Sequence, residues 1–275
     1  MVSGGHASIP HDQRVQAAKE AFAQAIGWQG EKLQRHLEMH YDPYWLTTDT
    51  EHQVRHARLI EQARETGERI AMDVHTDAFT AITEITVHTP DHPHLLAHLT
   101  GACAAAGANI AGAKIFTTAE GMALDTILLQ RQFENDADEL RRARRVMDTI
   151  RKALTGEARL DALVAAVKQP EGRMAAFSVA PQVVIDNDSS NRFTVIEVAG
   201  KDRIGLLYHL TTALFDLNLN IVSAHITTYG ERAVDVFYVT DLTGAKITSA
   251  ARREAIRERL TAVMAGPGAE GSQAA

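Results

Sequence analysis

The chain has 275 residues, enough for one large domain or two small ones, and its apolar share of 45% is sufficient for real cores. Lysine and arginine total 28 against 35 for aspartate and glutamate, a net of -7, which argues against nucleic acid or an acidic membrane as partner. The single cysteine, Cys103, permits no intrachain disulfide. No apolar run approaches the roughly 18 residues of a membrane span, and Met1 to Pro10 lacks a basic start followed by an apolar stretch, so the expected setting is a reducing cytoplasm.

Residues 13 to 72 show alanine-rich helical periodicity, interrupted around Tyr41 to Asp49, where Pro43 and Asp49 favour a break. Residues 1–78 therefore read as a helical lead-in. A first domain, 82–168, ends in a helix whose apolar stripe is Leu140, Ala143, Met147, Ile150 and Leu154. The connection, 169–191, follows a helix near Leu160 to Val167. It holds an apolar run, Val179 to Ile185, able to close the first sheet or pair with the second, and a turn cluster from Asp186 to Asn191. A second domain, 192–265, starts with β-formers from Phe193 to Val198. Helically spaced Leu206, Leu207, Leu210, Ala213, Leu214 and Leu217 come next, then strands Ile221 to Thr228 and Ala233 to Val239, joined at Tyr229-Gly230. The Gly- and Ala-rich tail, 266–275, is expected to be disordered.

The two domains are copies. Asp91 to Ile115 lies on Asp202 to Ile226 without a gap, at a constant offset of 111, with eleven of 25 positions identical. One extra residue in the first copy then brings Asp125 onto Asp235. The shared order is βαββα, so the expected class is α+β: two tandem ferredoxin-like units with antiparallel sheets.

The most informative segment is the turn between first strand and first helix, Lys201-Asp202-Arg203-Ile204-Gly205-Leu206-Leu207 in the second copy. Amides at a helix N-terminus suit a carboxylate, and Gly205 lets a ligand or neighbouring chain approach closely. Asn220, followed by Ile221, offers an amide donor and a carbonyl acceptor. The structural alternative is that Asp202 caps the helix, Gly205 relieves a tight turn and Asn220 ends the helix in the left-handed conformation. A Trp at Gly205 should block a real site, with Trp at Gly101 as a control distant from the turn.

Asp202-Arg203-Ile204-Gly205-Leu206-Leu207 followed by Asn220-Ile221 resembles the signature of ACT domains, regulatory modules that bind amino acids between paired copies. Ser223 to Val239 resembles the second ACT domain of the PII uridylyltransferase/uridylyl-removing family, Phe116 to Thr126 its first, and Tyr41 to Leu46 the stretch before the pair. The resemblance spans about residues 15 to 262. It implies an amino-acid ligand, glutamine, at Asp202, Arg203, Gly205, Leu206, Leu207, Asn220 and Ile221. A weaker second site is implied at Asp91, His92, Leu95, Leu96, Asn109 and Ile110, where His94 replaces the glycine. It also implies pairing of ACT units within or between chains and action on the PII protein through a full-length enzyme. Magnesium would belong to a catalytic domain, so no cofactor and no metal are expected in this chain.

No nucleotidyltransferase or HD-type motif occurs in a suitable setting, and no catalytic residues are expected. Asp186-Asn187-Asp188 reads as a solvated turn and His11-Asp12 as chance. The pairs His36/His40 and His52/His56 have zinc-compatible spacing but no third ligand. Cys103 reads as a buried thiol. Arg141, Arg142, Arg144, Arg145, Arg151 and Lys152 flank an apolar helix stripe after an acidic start, which suits the helix dipole. Asp125 and Asp235 sit inside apolar strands with no evident role. Besides a sensor, two alternatives stand: a catalyst in its own right, and an interaction module without ligand.

Overall fold

A computed structural model describes residues 10–167, 180–229 and 232–266. The expected disorder of the tail, the turn at Tyr229-Gly230 and the start of the run at Val179 fall wholly or partly outside these residues. The chain divides into two compact units. One takes the residues up to Ala71 with His88–Pro90 and Phe116–Leu124, and the other takes the remainder.

The first unit contains helices α1 (His11–Ile26), α2 (Gly30–Met39), α3 (Asp42–Thr47) and α4 (Thr50–Thr66). The break expected around Tyr41 to Asp49 holds a short helix of its own. Pro43 occupies its first turn, where a missing N–H leaves no bond unmade. Asp49 then caps α4 by accepting from the His52 N–H at 3.0 Å. Phe22, Met39, Tyr44, Trp45, Ala57 and Ile60 form the core, joined by Leu124 from a strand end. Tyr44 and Trp45 are almost wholly buried, so α3 is part of that core.

The second unit is built on strands β1 (Ala71–Asp77), β2 (Ile82–Pro90), β3 (Ile110–Thr117) and β4 (Met122–Gln130), followed by β5 (Gln182–Asp186), β6 (Thr194–Lys201), β7 (Leu219–Tyr229) and β8 (Arg232–Asp241). Its helices are α5 (Leu95–Ala105), α6 (Asp136–Leu154), α7 (Leu160–Ala165), α8 (Leu206–Asp216) and α9 (Ala250–Ala265). The strands form one eight-stranded antiparallel sheet in the order β1-β2-β4-β3-β7-β8-β6-β5. That order reads the same from either edge once equivalent strands are exchanged.

The two copies meet at β3 and β7, where Gly112 pairs with Thr227, Ala113 with Ile226 and Lys114 with His225. Lys114 and His225 are equivalent positions of the repeat, so a local two-fold relation passes between them. This is the self-complementary geometry of a symmetric dimer, folded into one chain. Both copies carry the expected βαββα order, with one addition. Residues 71–77, inside the expected lead-in, form β1 beside β2, and the connecting run forms β5, pairing with β6 from Gln182 opposite Ala199 to Asp186 opposite Val195. The repeat thus begins one strand earlier than the sequence match.

On the helical side α5 packs against α6, α7 and α8, and α8 also packs against α9. Gly101 lies at this junction. A Cβ there would come within 2.7 Å of Tyr208 Cδ2 and 3.1 Å of Leu160 Cδ1, so Gly101 is a packing position and not a neutral control. One arginine of the set that flanks the apolar stripe of α6 is itself buried. Arg142 is buried, donating to Glu139 Oε1 at 2.7 Å, and the same carboxylate accepts from Thr83 and from the Gln132 and Phe133 amides.

Candidate functional site

Gly205 has φ +81, a left-handed conformation that L side chains adopt only with strain, and it starts α8 with no side-chain cap. The N-cap is therefore Gly205 and not Asp202. The Leu206 N–H donates to Arg203 O at 3.0 Å and the His209 N–H to Gly205 O at 3.0 Å, so the first amide after Gly205 already closes a local turn. The left-handed residue after α8 is Asn218, with φ 55. Asn220 instead lies extended in β7, opposite Thr240.

Beside this turn is a recess of about 30 Å³, walled by Asp202 to Tyr208, by Ile226, Thr228, Ala233 and Asp235, and by Thr100, Ala104, Ala108, Asn109 and Ile110. The site is composite. Its turn comes from the second copy and its asparagine from the first, while Asn220 and Ile221 are not among its walls. Asn109 and Ile110, expected at a separate weaker site, join Asp202, Arg203, Gly205, Leu206 and Leu207 here. The Asn109 amide donates to Gln130 Oε1 at 2.8 Å. Arg203 points elsewhere: its guanidinium donates to Val263 O at 2.7 Å and Met264 O at 3.3 Å, satisfying carbonyls at the end of α9.

The mirrored position is closed by its own side chains. His94 is the counterpart of Gly205 and Phe215 the counterpart of Ala104. Their rings stack with centroids 3.8 Å apart and planes at 26°. Asp91 and His92 precede α5, which starts with Leu95 and Leu96, and the Leu95 N–H donates to His92 O at 2.9 Å. Gly205 and Ala104 both line the second-copy recess, whereas their counterparts carry rings that stack on each other.

The recess is acidic. Asp235 is 1% exposed. Burial pushes its carboxyl up to about 7, the nearby Asp202 charge adds to the rise, and the Thr227 amide opposes it. Asp202 is likewise raised, chiefly by burial, against the pull of Arg203. Asp235 had no evident role in the sequence, yet it lines the recess. Ala104 and Thr100 gave no signal at all, because a small or hydroxyl residue on an apolar helix face looks like packing.

α7 closes the neighbourhood. A Cβ on Gly205 would lie 3.0 Å from Val164 Cγ1, so the close approach that glycine permits is used by this chain. Tyr208 Oη donates to Asp161 Oδ1, anchoring α8 to α7.

The other candidates resolve into structure. Asp186 accepts from the Asp188 and Ser189 amides, a self-bonded turn. His11 pairs with Asp42 at 3.1 Å on the surface. His36, His40 and His56 are buried among Phe22, Tyr44 and Trp45, with His40 stacked on Tyr44 at 3.9 Å. Cys103 is fully buried, which pushes its thiol up to about 12. Among the described residues no three His, Cys, Asp or Glu side chains converge to hold a metal, and no helix is long and apolar enough to cross a membrane.

Comparison with known proteins places this architecture. Residues 83–145 match the ACT domain model and residues 189–265 match the ACR family N-terminal ACT domain model. The chain is 46% identical over 268 residues, 96% of its length, to the bifunctional uridylyltransferase/uridylyl-removing enzyme of Rhodopseudomonas palustris. It is 45% identical over 267 residues, 97% of its length, to the protein of the same name in Bradyrhizobium diazoefficiens. It spans 29% of the length of each of these curated relatives. An ACT match in each copy and near-complete coverage of the chain lead to one conclusion: this is a tandem ACT-domain chain, of one family with the ACT-bearing segment of the bifunctional uridylyltransferase/uridylyl-removing enzymes.

Proposed function

We propose that the chain is an amino-acid sensor in nitrogen control, with glutamine as its ligand, and that occupancy of the composite recess sets the activity of a PII uridylyltransferase/uridylyl-removing enzyme. The observation that carries this reading is the recess between the copies, lined by Gly205 and Ala104 where the counterpart positions, His94 and Phe215, carry stacked rings. The two halves of the pair are therefore not equivalent. At about 30 Å³ the recess has room for ordered water and not for an amino acid. A ligand must therefore move the copies or α7 to enter, which gives the two arrangements different affinities and couples binding to shape.

Thermal unfolding in a panel of amino acids tests this reading. Glutamine at about 100 times its dissociation constant should add about 2.7 kcal/mol of stability. The variant Ala104→Phe/Gly205→His, which copies the closed twin into the open one, should abolish that gain. The small volume favours a second reading, in which the ACT pair holds only itself. Under that reading no amino acid stabilises either protein.

A further inference from the structure

Two carboxyl groups, Asp202 and Asp235, wall a recess whose volume of about 30 Å³ matches one water molecule or one ammonium group. The other titratable groups around it are few. α5, β3 and β7 contribute none, and the turn and start of α8 contribute Arg203 and Tyr208. Arg203 turns its guanidinium to the carbonyls that end α9, and Tyr208 gives its hydroxyl hydrogen to Asp161. Asp235 is 1% exposed, and its one hydrogen bond among the described residues is long, from the Thr227 amide to Oδ1 at 3.4 Å. Its second oxygen has no protein donor among those residues.

Two carboxylates on so small a shared space do not both ionise cheaply, and the one with less water and no cation beside it keeps its proton. That one is Asp235, because Asp202 is only partly buried and feels the charge of Arg203. A cation entering the recess reverses the balance, since it removes the repulsion and stabilises charge on both groups. We propose that Asp235 receives the ammonium group of the ligand, and that it passes its proton to solvent as the ammonium enters, so that filling the recess releases a proton. This rests on the reading of the chain as an amino-acid sensor, and it adds the residue that recognises the ligand's positive charge. The ammonium head fits the recess as it stands, and the rest of the molecule calls for movement of the copies or α7.

Calorimetric titration of the whole chain with L-glutamine, in pairs of buffers that differ in ionisation heat, counts the protons released. The parent should release about one proton per ligand at about pH 6 and almost none at about pH 8. Its affinity should rise about tenfold between the two, because Asp235 titrates at about 7. Asp235→Asn keeps the side-chain size and the acceptor for Thr227. It should bind about tenfold more weakly than the parent at about pH 8, without proton release and without a pH slope. Asp202→Asn should still release the proton. Loss of all binding in Asp235→Asn, with release intact in Asp202→Asn, gives the same assignment. Melting curves establish that each variant is folded. Glutamine bound without proton release at about pH 6, or release that survives Asp235→Asn and is lost in Asp202→Asn, overturns the assignment and leaves the sensor reading standing. Absence of glutamine binding at every pH overturns both.

Discussion

The hydroxyls of Thr100 and Thr211 lie 3.3 Å apart, and the two residues are 111 apart in sequence, which is the offset of the repeat. Equivalent residues touch only on a two-fold axis, so this contact marks where the axis crosses the helical layer, as the Lys114 and His225 pairing marks it in the sheet. Each hydroxyl also lies within bonding distance of its own helix, Thr100 of Leu96 O and Thr211 of Leu207 O. With one hydrogen apiece, the bond between them forms only when one of the two turns away from its own carbonyl. A Thr100→Val/Thr211→Val cycle should give a coupling energy of about 0.5 kcal/mol by denaturant titration. A coupling of zero would mean that the axis is held by packing alone.

Gly101 sits beside that axis. Alanine in mid-helix ordinarily stabilises by roughly 0.5–1 kcal/mol relative to glycine, but here the new methyl meets the Tyr208 ring, which its bond to Asp161 holds in place. Gly101→Ala should therefore be net destabilising, by about 1–2 kcal/mol. Adding Tyr208→Leu should recover part of the loss.

Asp235 makes stability depend on pH in an unusual direction for a carboxylate. Its folded value is raised to about 7, above the ordinary 3.8, so between these values the folded state holds a proton that the unfolded chain has lost. Its contribution is full at low pH and disappears as pH rises through about 7. Asp235→Asn removes this titration. Relative to the parent, the variant should gain on the order of 4 kcal/mol between the two ends of that window, read from melts across pH.

His36 works in the opposite sense. Burial lowers it from 6.5 to about 4, with the Arg64 charge adding and Glu61 opposing. His40 is also lowered, again chiefly by burial. The unfolded chain takes up protons that the folded helical unit refuses, so stability is present above the ordinary histidine value and falls as pH drops toward about 4. His36→Phe, which keeps a ring against Phe22 and Trp45, should flatten that acid limb in a circular-dichroism pH titration.

The open and closed twins give the most direct test of the site. His94→Gly/Phe215→Ala should open the second recess and produce an additional glutamine-binding event by calorimetry. It should also lower stability by about 2–4 kcal/mol through the lost ring contacts. An unchanged stoichiometry would mean that the stack is not what closes the twin.

Periodicity and the 111-residue match were enough for the duplicated βαββα order, the helical lead-in and the turn at Asp202 to Leu207, because each rests on local patterns within about twenty residues. They were silent on β1, whose short, half-exposed strand carries little apolar alternation, and left open which sheet the run that forms β5 joins. A repeat states which residues are equivalent and says nothing about which copies meet. Only the antiparallel pairing of β3 with β7 brings Asn109 to the turn at Gly205, sets Asp235 in the wall and stacks His94 on Phe215. A two-fold axis exchanges partners between copies, so the site is assembled from residues about a hundred positions apart, a distance over which local sequence patterns carry no information.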